Sequence, residues 1–154
     1  MRNLCKINSA GFTLMEMMTA ISVVGILAAI GFPAFTRTLP GLRLTDAARQ
    51  VATELQHTRI RAISQSTRYQ LVFAPTSYLR QQWTGALWVN DAGAGNFALP
   101  AGVTALANEN PDFQPRGILT NAGMVTITLD NGAQQMFVCV STIGRVTIQN
   151  AACV

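Results

Sequence analysis

The chain has 154 residues, 49% of them hydrophobic and only 12% charged, with a formal net charge of +4. That length holds one modest domain, and the balance is more apolar and less charged than in an ordinary soluble domain. Arg2 and Lys6 supply half of the net charge; the remaining nine cations and seven acids are too evenly matched to argue nucleic-acid binding from charge alone.

Residues 1–11, MRNLCKINSAG, hold both of those cations and no acid, and read as a leader. A secretory signal is cut at small residues that follow its apolar run. Here the small-residue boundary Ala10-Gly11 precedes the run, so processing there leaves the hydrophobic segment in the mature chain. The leader cations favour a cytoplasmic start, with the remainder facing outward.

From Phe12 to Phe35 the run FTLMEMMTAISVVGILAAIGFPAF contains a single ionisable residue, Glu16. About 20 apolar residues in a helix cross a bilayer core, so 12–35 is expected to be a membrane-spanning helix. Gly25, Gly31 and Pro33 suit a membrane helix better than a soluble one. A bend is expected near Pro33 and a break near Pro40-Gly41.

Helical pattern resumes within 36–66. Leu44, Ala48, Val51, Leu55, Thr58 and Ala62 recur at spacings of four and three, one face of an amphipathic helix. Arg49, Glu54, His57 and Arg61 are placed on its other faces. Residues 67–154 change to strand signals: Tyr69–Phe73, Gly85–Val89, Val125–Leu129, Met136–Val140 and Arg145–Ile148. Asn131-Gly132 between two of these is a hairpin signal. The stretch Leu99 to Gly117, with three prolines, reads mainly as loop. The expected fold class is α+β: a long N-terminal hydrophobic helix that continues as an amphipathic helix packed on an antiparallel β-sheet head.

Of the three cysteines, Cys5 lies in the leader, while Cys139 and Cys153 would lie outside the cytoplasm, where thiols oxidise. A bridge between them would close a loop of about 15 residues and contribute about 3 kcal/mol. The alternative is two unlinked thiols, one in a strand and one in a frayed tail.

Gly11-Phe12-Thr13-Leu14-Met15-Glu16, followed by an apolar helix with Gly25 and Pro33, resembles the prepilin processing motif of type IV pilin-like proteins. The resemblance implies cleavage by a prepilin peptidase between Gly11 and Phe12, N-methylation of the new Phe12 amine, and Glu16 as the fifth mature residue. A carboxylate inside a span costs roughly 2.5–3.5 kcal/mol on insertion scales, so it is usually paired or functional. In the pilin-like reading Glu16 pairs with the Phe12 amine of a neighbouring subunit and sets assembly register; the plainer reading leaves it solvated at the interface.

The head is similar to the minor pilin class of FimT, FimU and GspH. The residues that carry this are Ala47–Ser64, Trp83-Thr84-Gly85, Trp88-Val89-Asn90-Asp91, Phe113-Gln114-Pro115-Arg116-Gly117 and Ile143-Gly144-Arg145-Val146. The resemblance implies an inner-membrane protein with one span and a periplasmic head, later part of a pilus or pseudopilus. Its partners would be other pilins or pseudopilins, through the N-terminal helix. Some FimT-like pilins bind DNA through arginines that follow a Gly-Arg pair. Here Arg145 is followed by Thr147 where a second arginine would be expected, so DNA is an alternative partner and is not favoured.

No catalytic residue, metal ligand or cofactor is expected. His57 is the only histidine and has no metal-ligand pattern around it. Asp91 to Asn96 lacks the alternating acids and distal glutamate of a calcium loop. Gly93-x-Gly95 is no phosphate loop. Trp83 and Trp88 read as packing residues. Ser64 and Ser66 have no histidine–acid arrangement near them. The expected function is that of a minor pilin that helps prime or assemble a type IV pilus. The alternatives are a minor pseudopilin of type II secretion and a DNA-uptake pilin.

Overall fold

The computed structural model describes residues 12–93 and 95–153, with the side chains of 33–37 outside that description. The leader and Gly11 lie outside the described residues. Two compact units divide the chain, Met1–Thr38 and Leu39–Val154. A single helix, α1 (Leu14–Ser64), contributes to both.

In the first unit α1 begins at a threonine cap. The Thr13 hydroxyl oxygen accepts the Glu16 N–H at 3.2 Å, satisfying one of the amides that a helix start leaves unpaired. Helix continues through Pro40-Gly41, so the expected break there does not occur. Within the second unit a hairpin braces this point. Asn131 Nδ2 donates to the Pro40 carbonyl at 3.1 Å, and a Cβ on Gly41 would lie 3.6 Å from the Gln134 side-chain oxygen. Tertiary contacts here override the poor helix propensity of the Pro-Gly pair.

The second unit is a head with nine strands among the described residues, packed around the C-terminal part of α1. One antiparallel sheet has the order β3 (Trp88–Asn90), β2 (Ser77–Trp83), β1 (Tyr69–Ala74), β6 (Asp112–Phe113), with β4 (Phe97–Ala98) also paired to β2. The other has the order β5 (Thr104–Ala107), β7 (Val125–Asp130), β8 (Gln135–Val140), β9 (Val146–Gln149). In β7, Val125, Ile127 and Leu129 are buried while the threonines between them are partly exposed, the period of two that a half-buried strand requires. The β7–β8 hairpin closes at Asn131–Gln134, where Asn131 Oδ1 accepts the Ala133 and Gln134 amides at 3.0 and 2.8 Å. Gly132 there adopts a φ of +83°, which glycine reaches without a Cβ penalty.

One core joins α1 to both sheets. All six residues of the expected helix face, Leu44 through Ala62, are buried. They meet Tyr69 and Leu71 of β1, Tyr78 of β2, Phe113 of β6, the β7 trio, and Val138 and Val140 of β8. Ala47, Ala48 and Ala62 are small enough to let the helix approach the sheets closely. Each fully buried large side chain contributes roughly 1.5–3 kcal/mol.

At its far end α1 closes with paired bonds from the Thr67 and Ser66 amides to the Ala62 and Ile63 carbonyls, at 3.2 and 3.3 Å. Ser66 sits there at φ 51°, the left-handed cap position usually held by glycine.

The strand expected over Gly85–Val89 needs correction: it is a turn followed by β3, with Gly85 at φ 96°. The stretch from Leu99 to Gly117 is mainly loop, as expected, and also holds two short strands, β5 and β6. Glu54, which the pattern leaves off the apolar face, is nevertheless buried.

Candidate functional site

The first unit is apolar on every face. Phe12, Leu14, Met15, Ile21, Val24 and Ile30 are each more than 60% exposed, and no residue of Leu14–Phe32 is buried within the chain. A helix hydrophobic all round belongs in a membrane or among other helices. The 19 residues of Leu14–Phe32 rise about 28 Å, close to the roughly 30 Å of a bilayer's hydrocarbon core. Length and composition therefore suffice for a membrane crossing.

Within Leu14–Phe32 the hydroxyls of Thr19 and Ser22 bond locally, and the carboxylate of Glu16 does not. The Thr19 and Ser22 hydroxyls donate back to the Glu16 and Met18 carbonyls at 2.9 and 2.8 Å. The Glu16 amide is capped by Thr13. The exposed Glu16 carboxylate has no partner among the described residues. It lies three residues past the cap, one turn into the helix. A carboxylate there is favoured by the positive end of the helix dipole.

In the head, Cys139 of β8 and Cys153 lie at disulfide distance, with Cα atoms 5.8 Å apart across a sequence separation of 14. That Cα spacing lies in the range a bridge requires. Trp83 and Trp88 pair across β2–β3 with ring centroids 5.2 Å apart. Arg68 lies over both rings at 5.7 and 5.5 Å and also pairs with Asp112. His57 is exposed on α1. Among the described residues no cluster of three or more His, Cys, Asp or Glu could hold a metal.

The sequence pattern missed a buried ionic set that joins α1 to the first sheet. Arg80 on β2 donates to Glu54 of α1 and, at 2.8 Å, to Asp91 after β3. Arg61, one turn beyond Thr58 on α1, reaches Asp91 at 3.2 Å. Burial pushes the Asp91 carboxyl up, but the Arg80 bond, the Gly93 amide and the Arg61 charge outweigh it, so it is held below its usual range. For Glu54 burial wins over Arg80, and its carboxyl is pushed up. Among the described residues no fully buried polar atom of this set lacks a partner, which suits fastening rather than chemistry.

The Gly144-Arg145 pair occupies the turn before β9. The Arg59 Nε donates to the Gly117 carbonyl at 2.8 Å, and its Nη2 reaches the Ile143 carbonyl at 3.4 Å. The structure thus brings together arginines that lie far apart in the sequence.

Residues 6–32 match the prokaryotic N-terminal methylation motif. The pilin-like protein PilA1 of Thermus thermophilus is 27% identical over 154 residues, covering 90% of this chain and 97% of its own. Type II secretion system protein H of Xanthomonas campestris is 27% identical over 144 residues, covering 92% of this chain and 73% of its own. Among solved structures, the type IV minor pilin FimU of Pseudomonas aeruginosa superposes with a TM-score of 0.59 at 19% identity, covering 69% of this chain and 87% of its own. The minor pseudopilin EpsH of the Vibrio cholerae type 2 secretion system does so at 0.57 and 12% identity, covering 70% and 97%. In its N-terminal methylation motif, apolar N-terminal helix and helix-on-sheets head the chain is similar to pilin-like proteins. The head fold is similar to those of a minor pilin and a minor pseudopilin, and the chain's motif and apolar helix fit a membrane-anchored pilus or pseudopilus component.

Proposed function

We propose that this chain is a minor pilin that enters a type IV pilus through its N-terminal helix, and that it helps prime or assemble the filament rather than form its bulk. In this reading a prepilin peptidase cuts between Gly11 and Phe12 and the Phe12 amine is methylated. The helix over 12–35 holds the subunit in the inner membrane with the 67–154 head in the periplasm. The Glu16 carboxylate then pairs with the Phe12 amine of a neighbouring subunit and fixes axial register. A bridge between Cys139 and Cys153 forms in that oxidising compartment. The observation that carries the reading is the unpartnered Glu16 carboxylate, one turn into an exposed apolar helix and inside the methylation motif.

The likeness to protein H and to EpsH supports a second reading, a minor pseudopilin of type II secretion. Mass spectrometry of sheared pili and of membranes from the same cells tests both. A methylated terminus at Phe12 in the pilus fraction supports the first. The same terminus in membranes only, with loss of exoprotein secretion on deletion, supports the second. A mature start after Ala29 or Pro33 would overturn both and point to an ordinary secretory signal.

A further inference from the structure

The head carries an apolar, basic groove that is independent of the N-terminal helix. Three segments meet there. α1 presents Ile60 and Ile63, the turn after β6 presents Gly117 and Ile118, and the turn before β9 presents Ile143 and Gly144. Their meeting is tight. A Cβ on Gly117 would touch Ile63 Cγ1 at 3.1 Å and Arg59 Nε at 3.2 Å, and one on Gly144 would collide with the Gly117 carbonyl and lie 2.8 Å from Arg59 Nε. The Leu119 amide donates to the Thr142 carbonyl at 2.9 Å, locking the two turns together. A groove of about 320 Å³ opens beside them, lined by Gln56, Arg59, Ile60, Gly144, Arg145 and Val146.

Two properties set this surface apart. Ile60, in its lining, is 61% exposed, and Ile143, Ile63 and Ile118, on the three segments beside it, are 66%, 47% and 36% exposed. Exposed apolar side chains gathered in this way mark an interaction site. Its rim is positive and uncompensated. Arg59 and Arg145 flank the groove and Arg116 is the chain neighbour of Gly117. None of the three forms a salt bridge among the described residues, whereas Arg61, Arg68 and Arg80 all do.

We infer that this groove docks a protein segment in which an apolar side chain is flanked by carboxylates. The isoleucines require an apolar anchor, and an apolar centre with a charged rim is the anatomy of a protein interface. A phosphate backbone would leave the isoleucines uncovered. A second copy of this chain placed face to face would set arginines against arginines. The complementary partner is therefore a different chain, with acids where this rim is basic.

The test places a photo-crosslinking benzoylphenylalanine at position 143 in the full chain, in its own cells, with position 106 as the control. Leu106 is equally exposed but lies on β5, outside the three segments that build the groove. The expected result is cross-links concentrated on one segment of another protein, with Asp or Glu flanking the cross-linked apolar residue. Cross-linking should fall about tenfold in Arg145→Glu and persist in Arg145→Lys, as expected for a rim charge. The Arg145 side chain makes no hydrogen bond or ion pair among the described residues, so these variants are expected to keep the head intact; equal protein levels and an unchanged Cys139–Cys153 bridge verify that. Cross-links to nucleic acid or lipid, a yield no higher than at position 106, or an unchanged yield in Arg145→Glu would each overturn the assignment. The outcome does not depend on which filament system the chain serves, since a mature start at Phe12 is read separately.

Discussion

Replacing Arg80 by alanine should be among the most damaging single changes in the head. The Arg80 side chain is 6% exposed, and its partners Glu54 and Asp91 are 11% and 7% exposed. Removing it leaves the Glu54 carboxylate with no strong partner and Asp91 with Arg61 and the Gly93 amide. Breaking a buried ion pair in this way costs about 3–5 kcal/mol. Against a typical domain stability of about 5–15 kcal/mol, that is about a fifth of the total or more. The measurement is urea unfolding followed by the fluorescence of Trp83 and Trp88, comparing wild type, Arg80→Ala, and the triple variant Arg80→Ala/Glu54→Gln/Asp91→Asn. The triple variant should regain most of the loss, because it removes the stranded charges. The acid limb gives a second reading. Asp91 is held below its ordinary 3.8, so its contribution is fully present above that value and is lost as pH falls through its lower folded value. Glu54 is raised above 4.5, so its contribution is present below that value and fades as pH rises through the raised one. Asp91→Asn should therefore flatten the acid limb, and Glu54→Gln should not. A loss below about 1 kcal/mol in Arg80→Ala, the scale of an exposed pair, would refute the reasoning.

Other expectations follow from the same structure. Cys139→Ser with Cys153→Ser should lower head stability by about 3 kcal/mol, and non-reducing mass spectrometry of the wild type should show a deficit of about two hydrogens. Gly144→Ala should cost at least about 2 kcal/mol in the same unfolding assay, since its φ of +79° disfavours a Cβ and the Gly117 carbonyl blocks it. Ser66→Gly should stabilise the helix cap by about 0.5–1 kcal/mol, seen as a raised Tm. Glu16→Ala should keep normal membrane levels while its incorporation into sheared filaments falls by about tenfold or more; normal incorporation would remove Glu16 from the register role.

Much of the head was legible because its signals are periodic. The buried face from Leu44 to Ala62 follows the helical repeat, and β7 follows the strand repeat. The elements that escaped are those where a polar group points inward. β2 reads Ser-Tyr-Leu-Arg-Gln-Gln-Trp, and its alternation is hidden because Arg80 takes an inward position beside Tyr78. The burial of Glu54 escaped for the same reason: it depends on Arg80, 26 residues away. β5 was hidden between prolines and turns its one large side chain, Leu106, to solvent. The basic groove was out of reach because Arg59, Arg116 and Arg145 come from three segments joined only by folding. The N-terminal helix, by contrast, is written as local composition and needs no tertiary partner to be recognised.

The ionic set of Glu54, Asp91, Arg80 and Arg61 also constrains how this head can drift in evolution. Its two acids and two bases are balanced, but they are not interchangeable in order of loss. If Glu54 becomes neutral, Arg80 keeps Asp91; if Asp91 does, Arg80 keeps Glu54, and Arg61, a third exposed, finds water. If Arg80 goes first, no neighbour can take up both carboxylates. Lineages descending from this sequence should therefore relinquish an acid before the arginine, and chains with an apolar residue at position 80 should also have lost the acid at 54 or at 91. The set is thus a ratchet: its members can be exchanged, but only along paths that begin on the acidic side.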